Sequence, residues 1–454
     1  LLPSISVETE SADKEYRLSA KSTALEYAGE HIGGALWQYF EGQGDAERAL
    51  AAMKDASRYT RGHLSRDAVH ALYGGAVTLS ASRMDMARSC HFAYFMRYGL
   101  KARERTGAGF DAPQIGTFVH DVMEHTLRQA KECGGLHTLS KDKLHALVRA
   151  SIEEYIDRVL PDLCEKSARF RYLFNRLCAA VERIMDEVSE ELQSSDFEPL
   201  AFELAFGADG QLPAITIREE NGTARVVGKV DRVDGWLHDG KLYLRVVDYK
   251  TGKKSFDLAE LRYGLGLQML LYLFTLKEEG QMLFGGHEIV PAGVLYTPAR
   301  EPMLRCARDT EPEKIEKALK KELRRSGMVL EDPAVLQAME HSALESPCYL
   351  PIAVKRDGAV TGSLASAEQL GKLSKYVDHI LHEITQEVFA GNIDADPYAR
   401  TPQQSACTYC EFASACHFEN GCGSDRMEYI KATKNDEFWQ YIDEVNGEGA
   451  HENG

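Results

Sequence analysis

Asp231, Asp248 and Lys250 are the residues whose types and spacing most directly suggest chemistry. They lie in VVGKVDRVDGWLHDGKLYLRVVDYKTGK, residues 226–253, which reads as two strands around Asp239-Gly240. Asp-Gly signals a two-residue type I′ hairpin, because both central residues need positive φ. With that loop, facing residues have numbers that sum to 479. Trp236 then faces Tyr243, Asp234 faces Arg245, and Asp231 faces Asp248. Facing carboxylates have Cβ atoms about 5 Å apart and repel. A shared proton, a neighbouring cation or a metal ion relieves that repulsion. Lys250 lies on the same face as Asp248, together with Val233, Leu237, Leu242, Leu244 and Val246. Arg232, Asp234 and Arg245 fall on the other face, so the two acids side with the apolar stripe. The plainer alternative is a surface hairpin with solvated charges.

Two carboxylates beside the main-chain carbonyl of Tyr249 form an oxygen-rich set of the kind Mg²⁺ takes. An ion held there activates water, polarises a phosphate and stabilises the leaving oxygen. Lys250 would orient the attacking water or offset charge on the phosphate. This chemistry suits phosphodiester hydrolysis better than acyl transfer. The chain has no G-x-S-x-G elbow, and HDVMEH is not H-E-x-x-H. It has no G-x-x-x-x-G-K-[ST], so a P-loop is not expected.

A second cluster is Cys407, Cys410 and Cys416, spaced C-x₂-C-x₅-C. Three close cysteines need a fourth to complete a Cys₄ site. Cys422 would close a small zinc loop, and Cys90 in SCHFAYF is the alternative. Thiolates suit zinc and iron–sulfur alike, and the spacing alone does not choose. The scattered Cys133, Cys164, Cys178, Cys306 and Cys348 read as buried thiols.

The elements that must position these residues follow from periodicity. Residues 1–75 read as helical and carry no evident chemistry. Gly116–Lys131 has helical spacing and presents His120, and long amphipathic helices follow through 141–195. Then come strands LAFELAFG and PAITIRE, the hairpin, and a helix over LAELRYGLGLQMLLYLFTLKEEG. A strand over EIVPAGVLYTPA, a charged exposed helix, a last helix over 368–391 and the cysteine cluster complete the order. The final residues, NGEGAHENG, read as disordered. This order predicts an α+β or α/β core with a mixed sheet and a large helical insertion.

The chain has 454 residues, 44% of them hydrophobic, and a net charge of −17. That acidity argues against non-specific coating of DNA, so any nucleic-acid contact must lie in a local basic channel or be shared with a partner. No run of about 18 apolar residues is present, so no membrane-spanning helix is expected. Ten cysteines without a visible signal peptide suggest a reducing compartment. Leu1 is not an initiator residue, which suggests a fragment of something longer.

GKVDRVD, followed by VVDYKTG and then QMLLY, resembles the RecB-like branch of the PD-(D/E)XK nucleases. The resemblance implies a restriction-endonuclease-like core in which Asp231, Asp248 and Lys250 are catalytic. It implies that the G-x-x-x-H helix donates His120 to a metal also held by Asp231, Asp248 and Tyr249. It places Gln268 and Tyr272, on one helix face, beside the active site and the DNA, and Glu203 fits its upstream glutamate less securely. One group of these nucleases holds a [4Fe–4S] cluster with one cysteine before the core and three after it. That points to Cys90, Cys407, Cys410 and Cys416, with zinc as the second reading.

The same core and cluster occur in Cas4-like and Dna2-like single-strand nucleases. The 141–195 insertion and the GMVLEDPAVLQAME segment look more like the B-subunit family of bacterial AddAB helicase–nucleases. That implies residues 1–75 as a remnant of a helicase-like region, 76–425 as the nuclease domain, and 426–454 as a partly disordered tail. It also implies one or two Mg²⁺ ions, a single-stranded or unwound DNA end as substrate, and an AddA-like helicase–nuclease chain as heterodimer partner. The setting would be the bacterial cytoplasm and double-strand-break end resection, with the 5′-terminated strand cut. The reading from a different class is an inactive iron–sulfur DNA-binding or structural module.

Overall fold

A computed structural model describes residues 17–57, 60–103, 112–207, 210–252, 254–302, 304–307 and 309–452. Of the segment 1–75 expected to be helical, residues 1–16, 58 and 59 lie outside the described residues. The chain divides into two compact units. One comprises Leu1–Ser65, Ser89–Ala102 and Gly391–Tyr429; the other comprises Arg66–Arg88, Arg103–Ala390 and Ile430–Gly454.

The larger unit is built on a six-stranded sheet. Its strands are β1 (Glu198–Phe206), β2 (Gly228–His238), β3 (Lys241–Lys250), β4 (Glu288–Pro298), β5 (Ser326–Leu330) and β6 (Leu364–Ala365). Their order is β6-β5-β4-β3-β2-β1. β3–β4 and β5–β6 pair parallel, the other neighbours antiparallel, which gives the mixed sheet that the element order predicts. The helices used below are α1 (Ala112–Glu132), α2 (Lys141–Val159), α3 (Ala168–Gln193), α4 (Gln268–Glu279), α5 (Ala367–Phe389) and α6 (Asn435–Glu452).

Local chemistry accounts for several boundaries. Ser140 and Ser167 cap α2 and α3 by accepting from Lys143 N and Phe170 N. Ser366 and Gln369 form a reciprocal capping box that starts α5. The helix expected over 258–280 is broken in two, Leu258–Arg262 and α4. Gly264 and Gly266 between them take positive φ of 73° and 68°, a conformation that ends a helix. Residues 269–276 of α4 are all buried, which explains why its sequence is apolar on every side.

The β2–β3 hairpin has the register the sequence implies. Pairs run from His238–Lys241 to Arg232–Val247, and Asp239 and Gly240 take φ of 48° and 77°. The Trp236 and Tyr243 ring centroids lie 5.4 Å apart.

The opposite face of that hairpin is not a solvated one. Arg232, Asp234 and Arg245 are fully buried. Asp234 sits 2.8 Å from Arg232 Nε and 2.8 Å from Arg245 Nε. Glu191 of α3 meets Arg325 at 2.6 Å and Arg245 at 3.5 Å. Strand alternation tells which residues share a face but not what covers it. Here the helical insertion brings Glu191 down onto the charged face. Burial alone would raise the Glu191 carboxyl, but Arg325, Arg245 and Arg232 bring it to about 2.

The segment after 426, expected as a partly disordered tail, carries a packed helix. α6 buries Phe438, Trp439 and Ile442, Lys372 of α5 pairs with Asp443 at 2.8 Å, and Tyr376 and Tyr441 lie edge to face. The scattered cysteines are the expectation to correct: Cys133 and Cys306 are exposed, and Cys178 and Cys348 half-buried. The side chain of Cys164 lies outside the described residues.

Candidate active site

Five neighbouring strands place a row of residues across the sheet. The β1–β2 pairs Phe202–Arg232 and Leu204–Val230 bracket Glu203 and Asp231. The β2–β3 ladder ends at Arg232–Val247, so Asp231 and Asp248 are next in register. Asp248 pairs with Tyr296 on β4, and Tyr296 with Ser326 on β5. Glu203, Asp231 and Asp248 therefore stand side by side on three adjacent strands. Beyond Arg232 the strands no longer pair by backbone alone: Tyr249 N donates to Asp231 Oδ2 at 2.9 Å.

α1 brings His120 onto this row, through a helix face that buries Phe118, Val119, Val122 and Met123. His120 Nε2 donates to Tyr249 O at 2.8 Å, and Nδ1 lies 3.3 Å from Asp231 Oδ2. Burial works against a charge on this imidazole. The hydrogen bond to Asp231 and the nearby carboxylates outweigh it and raise His120 to about 9. Glu203 adopts φ 49°, the left-handed region that non-glycine residues rarely take, and pairs with Lys229. Such outliers concentrate at functional sites.

Asp248 is almost fully buried. Burial first, then the Asp231 charge, raise it to about 6. Lys250 Nζ pairs with Asp248 Oδ2 at 2.7 Å, which opposes that rise. Gln268, the first residue of α4, donates to Tyr272 OH at 3.2 Å. Tyr272 is itself buried, packed edge to face on Phe206 with centroids 5.2 Å apart. A side chain at Gly228 would collide with both rings, which explains a glycine there.

The residues fit a hard divalent cation. Ligand atoms of His120, Glu203 and Asp231 all lie within 4.8 Å of one another. Asp248 lies outside that trio, but it feels the Asp231 charge, and with the Tyr249 carbonyl it would add oxygen donors of the kind that suits Mg²⁺ or Mn²⁺. A cavity of about 450 Å³, lined by His120, Asp121, Glu124, Glu203, Lys229 and Asp231 among others, opens beside them. Sequence reasoning missed Lys229, whose one signal is its place beside Gly228 and two residues before Asp231.

In the smaller unit, Cys90 is buried, and Cys407, Cys410 and Cys416 are half-buried and mutually close enough to raise Cys407 after burial does. Burial pushes the Cys90 thiol up to about 12, while N–H groups of Ala93, Asp396 and Phe92 oppose the rise. A buried sulfur ringed by N–H donors is suited to a thiolate held by a metal centre. Arg61 joins the chain around Cys90 to the cysteine loop. It donates to Cys416 O at 2.8 Å, pairs with Asp425 at 2.8 Å, and stands 4.6 Å over the Phe92 ring.

Comparison with known proteins identifies the family. The model of the PD-(D/E)XK nuclease superfamily matches residues 78–417. The chain is 30% identical over 422 residues to the B subunit of the ATP-dependent helicase/deoxyribonuclease of Ruminiclostridium cellulolyticum, covering 91% of this chain and 36% of the relative. It is 32% identical over 412 residues to the protein of the same name in Acetivibrio thermocellus, covering 90% of this chain and 35% of the relative. The chain thus spans about a third of the length of these curated relatives.

Proposed function

This chain belongs to the PD-(D/E)XK nuclease superfamily, and on that premise we propose that it is a Mg²⁺-dependent DNA exonuclease domain of a helicase–nuclease complex. The observation that carries the reading is the row Glu203–Asp231–Asp248, with His120 over it and Lys250 at its edge. His120, Glu203, Asp231, Asp248 and the Tyr249 carbonyl are the residues that would hold one or two ions. When bound, the ion supplies water activation and charge stabilisation at the scissile phosphate. Lys250, held beside Asp248, orients the attacking water or offsets phosphate charge. Gln268, steadied by Tyr272, offers its amide to the strand.

The similarity to the helicase/deoxyribonuclease relatives supports the wider setting. We take the partner to be an AddA-like helicase–nuclease chain and the substrate to be an unwound DNA end. The process would be cytoplasmic resection of double-strand breaks for recombinational repair, with the 5′-terminated strand cut. No described helix is long and apolar enough to cross a membrane. On the same reading, residues 76–425 form the nuclease domain and 1–75 the end of a helicase-like region. Cys90, Cys407, Cys410 and Cys416 would hold a [4Fe–4S] cluster with a structural role.

Digestion of end-labelled single-stranded DNA, in Mg²⁺ and in EDTA, tests the reading. The expected result is Mg²⁺-dependent loss of substrate by the wild type and none by Asp248→Ala. Equal loss by both proteins, or no loss with Mg²⁺, contradicts it and favours a DNA-binding module without catalysis.

A further inference from the structure

We propose that a basic groove leading away from Lys250, past Lys254 and Arg300 to Arg324 and Ser326, binds the sugar–phosphate backbone of a single DNA strand. The proposal rests on the nuclease reading and gives the strand a path through the site.

The two sides of the acid row differ in charge. The cavity on the His120 side carries four carboxylates, Asp121, Glu124, Glu203 and Asp231, against Lys229 and the His120 imidazole. The cavity on the Lys250 side, of about 310 Å³, carries Lys250, Lys254, Arg300 and Arg324 against the single acid Glu322. In a chain of net charge −17, four bases around one cavity stand out. Arg324 and Ser326 also line an adjoining cavity of about 400 Å³, so the groove continues beyond β5.

The sheet sets its direction and length. Asp231, Asp248, Tyr296 and Ser326 occupy one row on four neighbouring strands. Three strand spacings amount to about 14 Å. That is room for about four nucleotides at the 3.4 Å spacing of a stacked strand, and fewer if it is extended. A phosphate held at the ion over Asp231 and Asp248 would have its neighbours repelled from the acidic cavity and drawn along the basic one.

The bases are available for exchange. Lys254 reaches Glu260 at 3.4 Å and Arg300 reaches Glu322 at 3.6 Å, both long and partly exposed pairs of the kind that contributes little. Arg324 donates to the carbonyl of Pro347, a neutral partner, at 2.5 Å. Contacts of this type grip the backbone and carry no base preference, as a resecting nuclease requires.

The test is binding of a fluorescent 15-nucleotide oligo(dT) in EDTA, where no cleavage occurs, over a range of KCl. Wild type is compared with Lys254→Ala/Arg300→Gln/Arg324→Gln. A control carries Lys314→Ala/Lys317→Ala/Lys320→Ala on the exposed helix Pro312–Glu322. The groove variant should weaken binding on the order of tenfold or more and reduce the slope of log K against log[KCl] by about 2, since each lost phosphate contact on a single strand removes about 0.7. The control should bind as wild type does. Lys254→Glu alone, at a partly exposed position, should weaken binding in the same direction if the triple variant folds poorly. Unchanged affinity and slope in the groove variants, an equal loss in the control, or no binding by wild type overturns the proposal. Mg²⁺-dependent digestion by the wild type reports on the nuclease reading separately. If digestion persists while groove variants bind normally, the groove falls alone. If digestion fails while the groove variants lose binding, the groove stands without the nuclease.

Discussion

His120 donates through Nε2 to the carbonyl oxygen of Tyr249, 2.8 Å away, and so grips one of the groups that a metal ion would take. Its other nitrogen lies 3.3 Å from Asp231. In the metal-free chain a proton on the imidazole occupies the place of a cation among the carboxylates.

Metal binding should therefore release a proton. His120 is raised from 6.5 to about 9, so below that pH it is charged and must lose a proton to act as a ligand. Affinity for Mn²⁺ should rise as pH climbs from 6 toward about 9. Titration calorimetry in buffers of different ionisation enthalpy should show close to one proton released near neutral pH. His120→Ala should flatten this dependence. In the metal-free chain the sign is opposite: the stability contributed by the raised His120 is fully present below about 6.5 and lost as pH rises through about 9.

Asp248 should destabilise the metal-free fold near neutrality. Its carboxyl is raised from 3.8 to about 6, chiefly by burial, so its contribution to stability is present below about 3.8 and lost as pH rises through about 6. At pH 8 the ionised group costs on the order of 3 kcal/mol. Asp248→Asn should raise the melting temperature of the metal-free chain at pH 8 and remove the pH dependence between 4 and 6. Lost contact with Lys250 offsets part of the gain. Added Mg²⁺ should stabilise the wild type and not the variant.

The buried charges on the other face of the sheet should be essential to folding. Asp234→Ala leaves Arg232 and Arg245 without the carboxylate that lies 2.8 Å from each. Removing one partner of a buried pair costs about 3–5 kcal/mol. Denaturant unfolding should show a loss of that size. Lys314→Ala, which removes the exposed pair with Glu311, should cost less than about 1 kcal/mol.

Arg61 should matter to the cysteine site although it lies outside the matched family region. Its pair with Asp425 is nearly buried, and it also fixes the peptide oxygen of Cys416. Arg61→Ala, purified without oxygen, should hold less iron per chain and absorb less near 400 nm than wild type. Arg61→Lys should recover part of both, because the charge returns without the two-pronged geometry. Unchanged iron content in Arg61→Ala would rule out this role.

The site was legible where short-range rules decide geometry. Asp239-Gly240 fixes the hairpin register, and that register alone puts Asp231 beside Asp248. His120 was legible only through a family spacing, since its partners are 111 and 129 residues away. What could not be read was the cover on each face. Nothing near Arg232 or Asp234 announces that Glu191, on a helix some forty positions earlier, closes over them. Gly264 and Gly266 do mark the helix break in the sequence, but their positive φ is a product of the fold. The basic groove was equally hidden, because Lys250, Arg300 and Arg324 converge only through strand pairing.

The most direct test of the central claim is Mn²⁺ titration into the metal-free chain at pH 8, followed by loss of the free-ion electron paramagnetic resonance signal. Wild type should bind one or two ions, and Asp231→Asn, folded by circular dichroism, should lose that binding. Equal uptake by the two proteins, or none by wild type, would contradict a cation held between residues 231 and 248.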